Sequence, residues 1–298
     1  MRIMCRLLRS FLYLPASKAR ALDKAASLPA DALIFDLEDA VAPDEKARAR
    51  LLLAAALNTT DYAARLRLVR VNGLDTEWGA DDLAVFGAHQ GVDALVIPKV
   101  NGPADLGAAA LLAAGKPLWA MMETAAGMLN AAAIAAHPAV VGMVMGTNDL
   151  AGELGSRPRP DRLGLQAGLG LCVLAARAFD RVIVDGVYNA YLDDVGLRAE
   201  CEQGRDLGFD GKTLIHPAQV TVANAVFSPS AAEIALAHRQ IAALVAAQAQ
   251  GQGVAVLDGK IVENLHIVAA ERLLARATAI AELGQQGQIA ATRNGVPR

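Results

Sequence analysis

The chain has 298 residues, of which 54 % are hydrophobic, 4 % aromatic and 20 % charged; this excludes a disordered chain and fits a packed α/β protein with alanine-rich helices. Its 28 basic and 31 acidic residues are interspersed and leave a net charge of −3, which gives no electrostatic footprint for nucleic acid or an anionic membrane. Length alone fits one large barrel-type domain or two ordinary ones. Three cysteines, Cys5, Cys172 and Cys201, without a Cys-x-x-Cys spacing, indicate neither a disulfide framework nor a zinc site, so a reduced, cytoplasmic location is expected. Arg6 and Arg9 interrupt the opening apolar run before it can act as the hydrophobic region of a signal sequence. No uninterrupted apolar window of about 18 residues occurs, so no membrane-spanning helix is expected.

In chain order, Phe11-Leu12-Tyr13-Leu14-Pro15 reads as a strand, followed by a helix over 17–27. A second strand over 32–37 ends in the acidic turn Asp36-Leu37-Glu38-Asp39, and a helix over 44–57 with charges on one face covers it. The third strand, 66–71, ends in Arg70-Val71-Asn72-Gly73, and the fourth, 94–97, in Pro98-Lys99. The runs 118–122 and 140–145 are short, uncharged and bounded by turn residues, as strands buried on both faces would be. The alanine-rich 124–137 between them reads as a helix, which makes a βαβ unit. A helical stretch over 163–179 leads to a seventh strand, 182–186, and a helix over 195–207 to an eighth, 212–217. Eight strands, each followed by a helix, predict a (β/α)8 TIM barrel over 9–228. Beyond it come a helix over 231–247, a hinge at Gly251-Gln252-Gly253, an extended piece over 254–260 and a helix over 263–283. Together 229–283 form a C-terminal helical arm or lid, and 284–298 are expected to be disordered.

In such barrels the chemistry lies at the C-terminal strand ends, where this chain places Glu38, Asp39, Arg70, Lys99, Glu123, Asp149, Asp185 and His216. Each alone reads as a cap or a salt-bridge partner; together they point to a shared pocket. Glu123 and Asp149 end two adjacent strands and make a hard oxygen site suited to Mg²⁺. The alternative is that both carboxylates are helix N-caps. Asp258-Gly259 reads as a β-turn without function. Familiar nucleotide motifs fail: Gly211-Lys212-Thr213 has Asp206 where a phosphate-binding loop needs glycine, and Gly168-Leu169-Gly170 has Val173 in place of the third glycine. No Gly-x-Ser-x-Gly elbow occurs, and His89, His137, His216, His238 and His266 lack metal-ligand spacing.

Several motifs occur in order: Arg9-Ser10, Asp36-Leu37-Glu38-Asp39-Ala40-Val41, Val69-Arg70-Val71-Asn72, Pro98-Lys99-Val100, Met122-Glu123-Thr124-Ala125-Ala126-Gly127, Gly208-Phe209-Asp210-Gly211-Lys212 and Ile215-His216-Pro217-Ala218-Gln219. On these the chain resembles the citrate lyase β-subunit-like group, with its malyl-CoA and citramalyl-CoA lyases, of the HpcH/HpaI aldolase superfamily. The resemblance covers residues 9–277. It implies a Mg²⁺-dependent carbon–carbon lyase that cleaves or forms a β-hydroxyacyl-CoA thioester, with a 2-keto acid and an acyl-CoA as the other side of the reaction. In that reading Glu123 and Asp149 ligate the metal, Glu38 and Asp39 hold its waters, and Arg70 contacts substrate oxygens and stabilises the thioester enolate. Backbone N–H groups near Ala126 and Gly127 bind the keto acid's carboxylate.

The resemblance also implies that Asp258, in the Asp-Gly-Lys segment of the arm, relays a proton in a neighbouring subunit's site, which makes the active unit a homo-oligomer, a trimer. Two segments depart from the group: Leu14-Pro15-Ala16 replaces Val-Pro-Gly, and Val262-Glu263 stands where Ile-Asp is common. Alternatives are a citrate lyase β subunit working on an acyl-carrier protein, an aldolase on free keto acids, and a non-catalytic barrel subunit. The last would be expected to lose Arg70, Glu123 and Asp149, all of which are present.

Overall fold

A strand buried on both faces has two edges to pair as well as two faces to cover, and closing a parallel sheet on itself satisfies both. In the computed structural model, which describes residues 7–293, eight such strands do this: β1 (Ser10–Pro15), β2 (Ala32–Asp36), β3 (Leu66–Arg70), β4 (Ala94–Ile97), β5 (Leu118–Met122), β6 (Val140–Met145), β7 (Val182–Asp185) and β8 (Gly211–Leu214). Each pairs in parallel with the next, and β1 pairs with β8 to close the (β/α)8 barrel. Around it run α1 (Ala19–Ala25), α2 (Lys46–Thr59), α3 (Gly79–Ala88), α4 (Pro103–Leu112), α5 (Ala125–Leu129), α6 (Ala131–Ala136), α7 (Thr147–Glu153), α8 (Gln166–Ala178), α9 (Asp194–Leu207) and α10 (Gln219–Val226).

The chain divides into two compact units, the barrel Leu8–Phe227 and a second unit from Ser228 onward. The second unit contains α11 (Ala231–Ala249), the antiparallel hairpin β9 (Ala255–Leu257) and β10 (Lys260–Val262), and α12 (Asn264–Arg293). Its own small core is Leu244, Ala247, Ala255 and Val262. Asp258 and Gly259 both have positive φ, 51° and 74°, the geometry that a two-residue Asp-Gly hairpin turn requires.

Alternation along the strands sorts the barrel's core into two layers. Phe11, Ala32, Ile34, Leu66, Leu68, Val96, Trp119, Met121, Val144 and Val184 fill the interior. The intervening Leu12, Leu33, Phe35, Val69, Leu95, Met122 and Ile183 face the helices. The Trp119 ring packs against Phe11, their centroids 5.3 Å apart. A methyl group at Gly142 would collide with that indole, so this glycine makes room for the largest side chain of the barrel floor. The same alternation carries Tyr13, Asp36, Arg70 and Glu123 inward above this floor.

Three stretches differ from the sequence reading. The helix expected over 124–137 is two helices, broken at Asn130 (φ −99°, ψ 9°), whose side chain donates to the Asn101 carbonyl at 2.8 Å; a short polar side chain that bonds elsewhere competes with helix continuation. The expected disordered tail is helical as far as Arg293, and residues 294–298 lie outside the described residues. Gln219–Ala249 is long and apolar enough to cross a membrane by length and composition. Even so, Ser228-Pro229-Ser230 divides it, with Ser230 starting α11 through a capping box with Glu233.

Candidate active site

The C-terminal mouth of the barrel is built around Arg70, which ends β3 and is buried. Its guanidinium donates from Nε and Nη2 to the two carboxylate oxygens of Asp36, at 2.8 and 2.6 Å. Nη1 lies 2.9 Å from Glu38 Oε2 and donates to Asp39 Oδ2 at 3.2 Å. The cation also sits 5.1 Å from the centroid of the Tyr13 ring. Burial opposes the charge, but Asp36 above all outweighs it and holds the Arg70 pKa above its ordinary value. Asp36 meanwhile accepts from the N–H groups of Glu38 and Ala40, at 2.9 and 3.1 Å, so one carboxylate fixes both the arginine and the acidic turn.

That turn is braced from below. Lys46 of α2 is buried and donates from Nζ to the carbonyls of Leu37 and Glu38 and to Asn72 Oδ1, at 3.0, 2.9 and 2.6 Å. Asn72 donates to Leu37 O and Asp82 Oδ2, and Arg50 closes the chain of contacts on Asp82. The Asn of the Val-Arg-Val-Asn motif is therefore a brace.

Glu123 follows β5 and is buried. Its Oε1 accepts the backbone N–H of Lys99 at 2.7 Å. Its Oε2 is buried with no hydrogen-bond partner among the described residues, and a methyl group at Gly146 would collide with it. Burial is the largest influence on this carboxyl and pushes its pKa up to about 8; Lys99's N–H and Arg70 oppose the rise, while Glu38 and Asp149 add to it. Glu38 is raised to about 7, again chiefly by burial, with Arg70 pulling the other way. Asp149 is exposed in the first turn of α7. Neither metal candidate is a helix cap: Thr124 caps α5, accepting from Gly127 N at 3.0 Å, and Gly146 precedes α7. An orphaned, buried carboxylate oxygen within the electrostatic reach of a second carboxylate fits a hard divalent cation. Among the described residues no three His, Cys, Asp or Glu side chains converge as a complete cage. A hard cation that keeps several positions for water or substrate needs no such cage.

The eight polar strand-end residues do not share one pocket. Glu38, Asp39, Arg70, Lys99 and Glu123 are linked by contacts, and Asp149 acts on Glu123 and Lys99 through its charge. Asp185 belongs instead to a closed network. Arg162 Nη1 donates to both its oxygens at 2.8 and 2.9 Å, Lys212 Nζ donates to Oδ2 at 3.0 Å, and Lys212 also reaches Glu200 Oε1 at 2.8 Å and Gly186 O at 2.7 Å. Burial pushes the Asp185 pKa up, but the two cations together hold it below the usual carboxylate range. His216 stacks on Tyr191 with centroids 4.7 Å apart, and its Nδ1 accepts from Ala218 N.

One further expectation changes. Gly127 cannot offer its N–H to a carboxylate, because Thr124 Oγ1 takes it; a methyl group there would collide with the Val100 carbonyl, so this glycine serves close packing. Ala125 N is likewise taken, by Glu153 Oε2 at 3.0 Å, which leaves Ala126 exposed beside it. Asp258 lies in the second unit, exposed, where Arg239 Nη2 donates to both its oxygens at 2.6 and 2.7 Å. Asp36 and Lys46 were missed as site builders. The parity of Asp36 with Ala32 and Ile34 on β2 was the signal that could have found the first.

Fold and site together define a class: a TIM-barrel enzyme with a two-carboxylate oxygen site and a buried arginine at the C-terminal mouth. Residues 9–217 match the family model HpcH/HpaI aldolase/citrate lyase. The chain belongs to this family. It is 70 % identical over 273 residues to a (3S)-malyl-CoA thioesterase of Cereibacter sphaeroides, covering 92 % of this chain and 95 % of that one. It is 34 % identical over 302 residues to an L-malyl-CoA/beta-methylmalyl-CoA lyase of the same species, covering 91 % and 95 %. Among solved structures, protein CitE from Mycobacterium tuberculosis in complex with magnesium, acetoacetate and coenzyme A superposes with a TM-score of 0.76 at 32 % identity, covering 90 % of this chain and 97 % of that one.

Proposed function

We propose that this enzyme uses Mg²⁺ to act on a β-hydroxyacyl-CoA thioester, and that its reaction is hydrolysis of (3S)-malyl-CoA to malate and coenzyme A. The observation that carries the site's role is the buried Glu123 Oε2, which has no hydrogen-bond partner among the described residues and feels the charge of Asp149. The choice of substrate is supported by the 70 % identity, nearly end to end, to a thioesterase of that name.

Glu123 and Asp149 would hold the metal, which when bound polarises a substrate oxygen and acidifies water. Lys99 N–H fixes Glu123 Oε1, so that Oε2 is the oxygen left for the ion. Asp36 orients Arg70 with its Nε and Nη2, and the guanidinium's remaining N–H capacity stabilises negative charge on the thioester carbonyl oxygen. Glu38, its carboxyl raised to about 7, is matched to accept a proton from the attacking water near neutral pH. The water's oxygen bonds to the thioester carbon, the carbon–sulfur bond breaks, and the thiolate leaves and is protonated to the thiol.

A second reading, carbon–carbon cleavage to acetyl-CoA and glyoxylate, is supported by the 34 % identical lyase of similar length. In it the enolate of acetyl-CoA takes its proton from Asp258 of a neighbouring subunit's arm, and the working unit is a homo-oligomer, a trimer. Val256 and Ile261, paired across the hairpin beside Asp258, are 70 % and 60 % exposed, as an arm meant to be covered by another copy would be.

Incubating the purified protein with (3S)-malyl-CoA and Mg²⁺ and analysing products separates the two. Malate with free thiol supports hydrolysis. Acetyl-CoA with glyoxylate supports cleavage and overturns the first reading. EDTA and Asp149→Ala should abolish either. Substrate left intact with Mg²⁺ bound would remove both, leaving a carrier-protein thioester or a free keto acid as the substrate to test.

A further inference from the structure

The Lys99 side chain is absorbed by none of these roles, yet two features set this residue apart. Its backbone has φ +49°, a left-handed conformation in which an L side chain is costly and glycine or asparagine is usual. That turn, just after Pro98, aims the Lys99 N–H at Glu123 Oε1. Its ammonium stands at the mouth with its side chain 57 % exposed and only a long contact, 3.6 Å, to Glu38 Oε1. Glu38 first, then Asp39, Asp149 and Glu123, raise its pKa against a smaller opposing effect of burial, so it is a cation in the field of the whole carboxylate group.

Such a charge next to a divalent-cation site weakens metal binding by simple repulsion. A glycine would have supplied the same turn and the same N–H without that cost. The other groups at the mouth suited to anions are largely committed. Arg70 is held by Asp36, Glu38 and Asp39, Lys46 donates to two carbonyls and an amide oxygen, and the N–H groups of Ala125 and Gly127 are taken by Glu153 and Thr124.

We infer that Lys99 binds the free carboxylate of the substrate's acyl chain: its ammonium leaves Glu38 and pairs with that carboxylate beside the metal, trading some cation affinity for anion affinity. The inference rests on the proposed reading of this mouth as a Mg²⁺ site for a hydroxydicarboxylic thioester. A substrate carboxylate at ordinary hydrogen-bond length is stronger competition for an exposed ammonium than a 3.6 Å contact to Glu38, and a charge-assisted hydrogen bond would replace that contact.

The test is calorimetric binding of free (S)-malate to the Mg²⁺-loaded protein, wild type beside Lys99→Met, Lys99→Arg and Lys99→Gly, with malyl-CoA kinetics in parallel. Lys99→Met and Lys99→Gly should weaken malate binding tenfold or more and raise KM for malyl-CoA with less effect on kcat, while Lys99→Arg retains most of the affinity. Lys99→Gly keeps the turn and the N–H, so it stands in if Lys99→Met fails to fold, and it separates the ammonium from the backbone contact. Malate binding that is absent in the wild type, or equal in wild type and Lys99→Gly, overturns the inference. Failure of the wild type to turn over malyl-CoA while malate still binds through Lys99 counts against the proposed reaction and leaves the carboxylate site standing.

Discussion

Two groups of buried charge lie toward the C-terminal ends of the barrel strands, and they are solved differently. Around Asp185 both carboxylates have cations: Arg162 and Lys212 face Asp185 and Glu200, the Asp185 carboxyl is held below its usual range, and what is left unpartnered among the described residues is one guanidinium nitrogen, Arg162 Nη2. Around Glu123 the account stays open. One oxygen meets an N–H, the other has no partner among the described residues, and burial drives the carboxyl up to about 8. Burial without a partner is costly in a structural role and useful in a binding one. Two clusters with the same residue types can therefore be told apart by which kind of atom is left open: a guanidinium nitrogen in one, a carboxylate oxygen able to take a cation in the other.

The largest expected effect breaks the open cluster. Glu123→Gln should lower turnover by at least about a thousandfold, since a lost metal ligand forfeits several kcal/mol of charge stabilisation, while the melting temperature in EDTA stays level or rises. A marked drop in that temperature would mean that Glu123 is structural after all. The closed cluster should respond in the opposite sense. Lys212→Met strands Asp185 and Glu200 and should cost about 3–5 kcal/mol of folding stability by denaturant titration; a near-neutral result would mean that Arg162 alone satisfies Asp185.

A third expectation concerns pH in the absence of metal. The Glu123 carboxyl is raised from 4.5 to about 8 and that of Glu38 from 4.5 to about 7. Between those values the folded chain holds protons that the unfolded chain has released. Their contribution to stability is thus full below about pH 4.5 and is lost as pH rises through 7 to 8. Thermal melts in EDTA from pH 5 to 8.5 should fall along this range. Excess Mg²⁺ should flatten the fall, because binding to the folded state adds stability where the ionised carboxylates cost it. The smallest effect belongs to the exposed pair of the hairpin: Arg239→Ala should change stability by less than about 1 kcal/mol. If Asp258 moves protons in a neighbouring site, mixing the separately inactive Asp149→Ala and Asp258→Ala variants should restore part of the activity, and no restoration would count against the shared site.

Much of this was legible beforehand because it depends on neighbours along the chain. Eight apolar runs with turn residues between them, and helical stretches to cover them, can be read locally. The Glu123–Asp149 pair could be read too, since Glu123 directly follows β5 and Asp149 lies in the first turn of the helix after the adjacent β6. The division of the polar strand ends into two groups could not. Whether Asp185 faces substrate or a lysine depends on Arg162 and Lys212, which reach it from two other segments, and on Glu200, which pairs with both. Nor could the engagement of Gly127's N–H be read with certainty, although Thr124 three residues earlier was a visible cap candidate.

By itself, then, the sequence determined the barrel and the inward parity of Arg70 and Glu123, because strand alternation and hydrophobic burial act residue by residue along the chain. The tertiary structure alone decided which carboxylates are neutralised and which are left open. Charge pairing is settled by distances of about 3 Å between side chains tens of residues apart, such as Arg70 on Asp36 or Lys212 on Asp185, and those distances exist only once the barrel has closed.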